Sequence, residues 1–516
     1  TVDRSDPNSP FNQQNDWYAW VCDADWVSPQ CSPSPSQGLY STSSSPFYMN
    51  SRPQLTGGSN DGPADPGDTI TWTASSTDTD TFNPAGDDEL YIVVCDVDSF
   101  STTTNNCTDP NDTIASSTPP GGPFADPSAS WGVPIPFQDQ DYDSYIFVYD
   151  EFGHRATASV PVTFTINNVT PTVASSSIII RGNSTSTINL VIDVPAGETP
   201  SSTVEFTLSD NNSCERSPLL GGGPEIGEDD DVAVSLFRSG IGANNCDPLA
   251  NPTGQYNPNH CYPSGIGPDV WSISCTATTT CSGSSQTDIE YRCDFPLWFV
   301  ADPTLAATAV FGAENWNAAV LGIDDNATGT VSTSSMPVEL QEALFIDIEA
   351  NEIAYGAVEP GEYSGPNNLT GELHATSVIL ATGNVGVDQD TSGTPMCPDG
   401  DFSPTGPTNC PPVPEALIQD FNQNYGTTSG IAQGAPGTFA LSSTSPASDL
   451  ELDVPKTTGT STAELRRGTT FWSIFVPGTV NVAGDYTGLN TFLGVIDEIW
   501  QRSEEHTSEL QSLSHI

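Results

Sequence analysis

The sequence predicts an all-β chain, tandem antiparallel β-sandwich modules closed by a C-terminal β-sandwich, on three observations. Short runs rich in Val, Ile, Thr, Tyr and Phe alternate with polar residues, as in 69–73, 145–149, 162–166 and 204–208. Alternation of this kind puts successive side chains on opposite faces of a sheet. The runs end in Gly, Asn, Asp or Pro clusters, which supply turns. Helical periodicity is nearly absent; residues 413–421 form the best candidate, as one short helix or a strand. At roughly 150 residues per domain, 516 residues make about three or four modules.

The charge balance narrows the function classes. The chain carries 66 acidic and 11 basic residues, a formal net charge of -55, and Lys456 is its only lysine. The acidic share is ordinary, so the imbalance is a deficit of cations, with Ser and Thr filling the polar surface. A field of this sign repels phosphate backbones and anionic lipid, which disfavours nucleic acid and membrane surfaces as partners. It favours hard cations such as calcium. The longest apolar runs, such as 296–300, are too short to insert in a bilayer.

The twelve cysteines fall in local, even groups: Cys22 and Cys31; Cys95 and Cys107; Cys214, Cys246, Cys261, Cys275, Cys281 and Cys293; Cys397 and Cys410. No Cys-x-x-Cys occurs, so the expectation is disulfides formed outside the cytoplasm. The group of six allows fifteen pairings, among which the sequence does not choose. His260 with Cys261, Cys275, Cys281 and Cys293 offers enough donors for zinc, but the close Cys knuckles of a structural site are missing.

Internal similarity sets the organisation. Residues 18–25, Tyr-Ala-Trp-Val-Cys-Asp-Ala-Asp, match 91–98, Tyr-Ile-Val-Val-Cys-Asp-Val-Asp, each followed by a second cysteine. Residues 145–150 read as a third copy with Tyr149 at the cysteine position, and 316–324 as a looser fourth. Prolines at 53 and 171 follow final strands. The expected modules are a partial one over 1–53, a sandwich over 54–171, a Cys-rich sandwich with long loop insertions over 172–335 and a C-terminal sandwich over 336–501. Residues 502–516 break the pattern; 502–512 resemble a translated short-read sequencing adapter and are set aside as an artefactual tail.

The Tyr/Trp-x-x-Val-Cys-Asp repeats resemble Ig-like modules in large predicted secreted proteins of the candidate phyla radiation (Patescibacteria). The third unit fits through Ser235–Ser239, His260–Pro263 and 299–304 leading to Trp316. The C-terminal unit fits through 353–356, 393–396 and 483–488. The resemblance implies a modular surface protein and supplies no catalytic residues.

Residue chemistry agrees. No His-Glu-x-x-His, Gly-x-Ser-x-Gly or phosphate-binding glycine loop is present, and His154, His260 and His374 read as structural. A glycosidase carboxylate pair needs only a spatial separation, which sequence does not reveal. Carboxylates gather at strand ends: Asp23/Asp25, Asp96/Asp98, Asp139/Asp141/Asp143, Glu228–Asp231 and Asp324/Asp325. The first three groups are candidate calcium ligands that would stiffen joints between modules; the alternative is a solvated acidic rim. Ser144 replaces the turn glycine of an EF-hand, so that loop is not expected. Trp17, Trp20 and Trp26 offer a face for sugar stacking or for a neighbouring module. The functional expectation is a non-enzymatic extracellular structural protein, a stalk, filament subunit or surface-layer component. It would require no cofactor, with calcium as the one candidate ion, and associate with copies of itself, other surface proteins or glycans. The alternatives are a carbohydrate-binding adhesin and a secreted glycoside hydrolase.

Overall fold

The computed structural model describes residues 52–497 except 79–88, 118–125, 152, 183–188, 248, 250–255, 265–272, 306–309, 351, 366–370, 399–401, 404–405, 408–413 and 445–449. Of residues 1–51 it describes four two-residue strands: Gln14–Asn15 pairs with Phe47–Tyr48, and Val21–Cys22 with Cys31–Ser32, which sets Cys22 opposite Cys31.

The first sandwich is built from seven strands, β1 (Gln54–Asn60), β2 (Thr69–Thr77), β3 (Leu90–Cys95), β4 (Thr113–Ser116), β5 (Ser128–Gly132), β6 (Asp141–Asp150) and β7 (Val160–Thr165). A sheet β1-β2-β5 faces a sheet β4-β3-β6-β7. Strict alternation along β2 buries Ile70, Trp72 and Ala74 between them. The Trp72 ring meets Phe164 edge-on at 5.4 Å, and its indole N–H donates to Ser144 Oγ at 3.1 Å, so the bulkiest core side chain keeps its polar atom satisfied. The repeated aromatic motifs at 91 and 145 prove to be adjacent antiparallel strands of one sheet: Tyr91 lies opposite Tyr149, with rings stacked at 5.2 Å. The Cys95–Cys107 disulfide ties β3 to the short hairpin that follows it.

The second sandwich repeats this layout with longer loops. Its strands are β8 (Thr172–Val173), β9 (Ile179–Arg181), β10 (Glu198–Ser209), β11 (Val232–Arg238), β12 (Cys261–Pro263), β13 (Ser274–Ala277), β14 (Asp288–Trp298), β15 (Trp316–Gly322) and β16 (Ser332–Thr333). One sheet runs β8-β10-β14-β13, with β9 also paired to β10, and the other β12-β11-β15-β16. Along β14 the alternation buries Ile289, Tyr291, Cys293, Phe295 and Leu297. The six cysteines pair as Cys214–Cys281, Cys246–Cys261 and Cys275–Cys293, which leaves no thiols for zinc. In both sandwiches an early and a late segment form a parallel bridge, Ala64 with Ile166 and Leu190 with Leu340.

The third sandwich departs from that order. It contains β17 (Ile346–Ile348), β18 (Ala375–Ala381), β19 (Val387–Gly393), β20 (Gln423–Gly426), β21 (Thr438–Ala440), β22 (Leu450–Val454), β23 (Arg466–Ile474) and β24 (Asn490–Ile496). A sheet β17-β18-β23-β20-β21 is accompanied by a sheet β22-β19-β24. Within the helix candidate 413–421 the structure has only a 3-10 turn, Pro414–Ala416, and Ile418 bridged to Met396; a second such turn, Asp420–Asn422, follows. Pairing with a strand wins there over weak helical periodicity. Cys397 is disulfide-bonded.

Candidate functional site at the first inter-module junction

The segment joining the first two sandwiches is fixed by its own backbone. Residues 167–171 leave β7 and meet the loop after β10, where the Val169 amide donates to Asn212 Oδ1 at 2.6 Å. Asn212 Nδ2 in turn donates to the carbonyls of Phe137 at 3.1 Å and Asn167 at 3.0 Å. The Phe137 amide donates to the Asn211 carbonyl at 3.2 Å, and Gln138 Nε2 to the Glu215 carbonyl at 2.9 Å. Pro171 sits against two glycines of the β15–β16 hairpin. A Cβ on Gly329 would stand 2.2 Å from the Pro171 carbonyl oxygen, and one on Gly322 3.3 Å from the Pro171 ring.

Around this linker the fold collects carboxylates from separate loops. Asp139 precedes β6, Asp210 follows β10, Glu225 lies in the long loop before β11, and Asp324 and Asp325 occupy the turn after β15. Single oxygens of Glu225, Asp324 and Asp325 lie within 4.8 Å of one another. Glu225 is 3 % exposed, Asp324 5 % and Asp210 0 %. Asp324 Oδ1 accepts from the Asn326 amide at 2.8 Å and from Asn168 Nδ2 at 3.2 Å, but its Oδ2 has no partner. Asp210 Oδ1 accepts from the Asn212 amide at 2.7 Å, and its Oδ2 has none. Both Glu225 oxygens and Asn168 Oδ1 are likewise buried without a hydrogen-bond donor. Arg216, which contacts Asp325 at 2.5 Å, is the cation of the group.

Three of these carboxylates, Glu225, Asp210 and Asp139, resist ionisation because burial disfavours the charged form. Burial pushes Glu225 up to about 9, helped by Asp325 and then by the charges of Asp139 and Asp210. Burial pushes Asp210 up to about 7, against the amide hydrogen bond from Asn212. Asp139 is raised for the same first reason.

The junction between the second and third sandwiches differs in charge balance. Asp302 there receives Arg238 Nε at 3.1 Å and Lys456 Nζ at 2.5 Å. Arg238 also contacts Glu314 at 2.5 Å, and Lys456 donates to Asn259 Oδ1 at 2.9 Å. His260, near Asp302 at 3.9 Å, is held below its usual range by burial and by the neighbouring Arg238 and Lys456. Two carboxylates thus meet an arginine and a lysine.

Of the residues singled out in the sequence, Asp139 lies at the acidic junction, while Asp141 and Asp143 run along the exposed face of β6 and accept from the Thr165 and Thr163 hydroxyls at 2.5 Å and 3.4 Å. The structure therefore does not join the three into one ligand set. Asp96 and Asp98 are exposed after β3, and Asp98 accepts from Ser159 at 2.6 Å. Asp231 caps the turn below β11, accepting from the Gly227 and Glu228 amides at 2.6 Å. Asp23, Asp25, Trp17, Trp20, Trp26, Cys410 and the tail 502–516 lie outside the described residues. Asp210 and Glu225 escaped sequence reasoning: Asp210 closes the run of β10 without a neighbouring acid, and Glu225 stands three positions before the acidic run 228–231, outside that group. His154 sits 3.6 Å from Asp150 in an exposed turn, and His374 3.1 Å from Glu372 in the segment before β18.

No family model matches the chain, and no curated protein matches it. Solved structures that align with it include a chimeric titin Z1Z2 carrying a decorin peptide, at 8% identity and TM-score 0.17, over 57% of this chain and 98% of the other. Chicken CNTN1 FN1-FN3 domains align at 10% identity and TM-score 0.19, over 86% and 98%. Dpr2 Ig1-Ig2 in complex with DIP-Theta Ig1-Ig3 aligns at 10% identity and TM-score 0.15, over 55% and 98%. Scores this low carry no argument, and the fold class rests on strand order. A sheet of first, second and fifth strands facing a sheet of the fourth, third, sixth and seventh is the immunoglobulin and fibronectin type of sandwich. The protein is an all-β chain with Ig-like sandwiches in tandem. Among the described residues no helix is long and apolar enough to cross a membrane.

Proposed function

We propose that the chain is a non-enzymatic, extracellular structural protein of a cell surface, a stalk, filament subunit or surface-layer component whose task is cohesion. The observation that carries this reading is the bonding between sandwiches. The sole lysine is buried in an ion pair that joins the second sandwich to the third, and the first linker is clamped by five cross-junction hydrogen bonds. Four described disulfides staple the first two sandwiches, which suits an oxidising exterior. Among the described residues, His154 sits in an exposed turn beside Asp150, His260 at the second junction near Asp302, and His374 beside Glu372. The partners are copies of the chain or other surface proteins, which would add to the edge strands β1 and β7 by backbone pairing.

The test is the assembly state of the purified full chain, by sedimentation and electron microscopy over a hundred-fold concentration range, with and without calcium. Ordered oligomers or filaments are expected. A monodisperse monomer under every condition refutes the reading.

A further inference from the structure

The first junction contains a cluster that is incomplete as it stands. Its buried unpartnered atoms are five oxygens, both of Glu225, Oδ2 of Asp324, Oδ2 of Asp210 and Oδ1 of Asn168, and one nitrogen, Nε of Arg216. Burying a carboxylate without donors or a counter-charge costs several kcal/mol per ion, so a fold that gathers several of them needs a compensating positive charge. At the second junction Arg238 and Lys456 meet that need. At the first, Arg216 reaches Asp325, and four carboxylates remain.

We propose that this junction is a calcium site, with Glu225, Asp324 and Asp325 as its central ligands and Asp210, Asp139 and Asn168 around them. Oxygens within 4.8 Å of one another fit around one ion with bonds of about 2.4 Å, inside the range calcium takes. The donor set is all oxygen, which selects a hard cation over zinc or copper. Carboxylates from four loops with a neutral amide oxygen suit the six to eight ligands and loose geometry of calcium better than the strict octahedron of magnesium. The ligands also explain what binding would do. Asp139 belongs to the first sandwich, Asn168 to the linker, and the other four to the second sandwich, so one ion would lock the angle between the two bodies. Protons are the alternative occupants, shared among Glu225 and its neighbours. The inference goes beyond the structural role above and stands whether or not the chain assembles with itself.

The experiment is calorimetric titration of calcium into the chelator-treated full chain at pH 7.5, with thermal melts and small-angle scattering alongside. One saturable site is expected, with a dissociation constant below about 1 mM. At a hundred-fold excess over that constant, the melting transition should rise by about 5–10 °C. Glu225→Gln should lower calcium affinity about 10–100-fold. Because Gln is neutral and nearly the same shape at a position where the metal-free fold disfavours an ionised carboxylate, the metal-free variant should melt at or above the metal-free wild type, which separates loss of binding from loss of folding. Asp143→Asn, on an exposed strand face, should bind as wild type does. Absence of a saturable site, equal affinity for magnesium, or calcium binding unaltered in Glu225→Gln would each overturn the assignment.

Discussion

Replacing Lys456 with Met tests whether the second and third sandwiches are held by a buried charge pair. Lys456 is 5 % exposed, and its ammonium has two partners, Asp302 Oδ1 at 2.5 Å and Asn259 Oδ1 at 2.9 Å. Removing one member of a buried pair costs about 3–5 kcal/mol, because the other charge stays behind in low dielectric. Asp302 keeps Arg238 Nε at 3.1 Å, which places the cost near the lower end, ~3 kcal/mol. For a unit of this size that corresponds to a fall of roughly 6–12 °C in the transition that melts these two sandwiches. Differential scanning calorimetry of the full chain resolves it, since a multi-domain chain need not melt in one step. The internal standard is Arg467→Ala, which breaks a pair with Glu349 at 3.4 Å in which both side chains are nearly half exposed. That change should cost ~1 kcal/mol or less. If Lys456→Met proves as mild as Arg467→Ala, the pair is solvated and the argument fails.

Asp388 is buried, with Oδ1 accepting from the Leu452 and Asp453 amides and burial pushing its carboxyl up to about 6. A carboxyl raised above its unfolded value stabilises when protonated, so wild-type stability should fall as pH rises from about 4 through about 6, by at most ~3 kcal/mol. Asp388→Asn should flatten that slope in urea melts, and an unchanged slope would refute the assignment. Gly329→Ala should drive the Pro171 carbonyl from its seat and speed limited proteolysis within 167–171; cleavage at the wild-type rate would mean the contact carries no weight. Replacing Cys246 and Cys261 with Ser opens a loop of sequence separation 15 and should destabilise by about 3 kcal/mol, read by chemical denaturation. A loss under ~1 kcal/mol would show that the Cys246 loop is ordered by its own packing.

The all-β character was legible because β2 and β14 alternate without a break, and a period of two leaves little room for another reading. Disulfide chemistry was legible from even local grouping, but the pairing within the six was not, since Cys214 reaches Cys281 across 67 positions that only folding brings together. The aromatic repeat within 54–171 has a structural cause. Neighbouring central strands of one sheet need the same pattern of buried residues, so 91–98 and 145–150 look like copies although they are partners. The acidic triplet at 139–143 shows the opposite effect. Its spacing places all three acids on one strand face, yet the strand begins at Asp141, so Asp139 turns away into the junction. Nothing in the sequence brings Asp210 and Glu225 together, because their proximity depends on the loops after β10 and before β11 meeting in the fold.

The parallel bridges have a bearing on how such a chain would behave under tension. In the first sandwich the Ala64 amide donates to the Thr165 carbonyl and the Asn167 amide to that of Ala64; in the second, Leu190 and Gln341 exchange the same kind of bonds with Glu339 and Leu190. Because the incoming and outgoing segments run side by side in the same direction, a pull applied at opposite ends slides them past each other. Every bond of the clasp is then strained at once, and the force needed to rupture it exceeds what peeling an antiparallel edge would take.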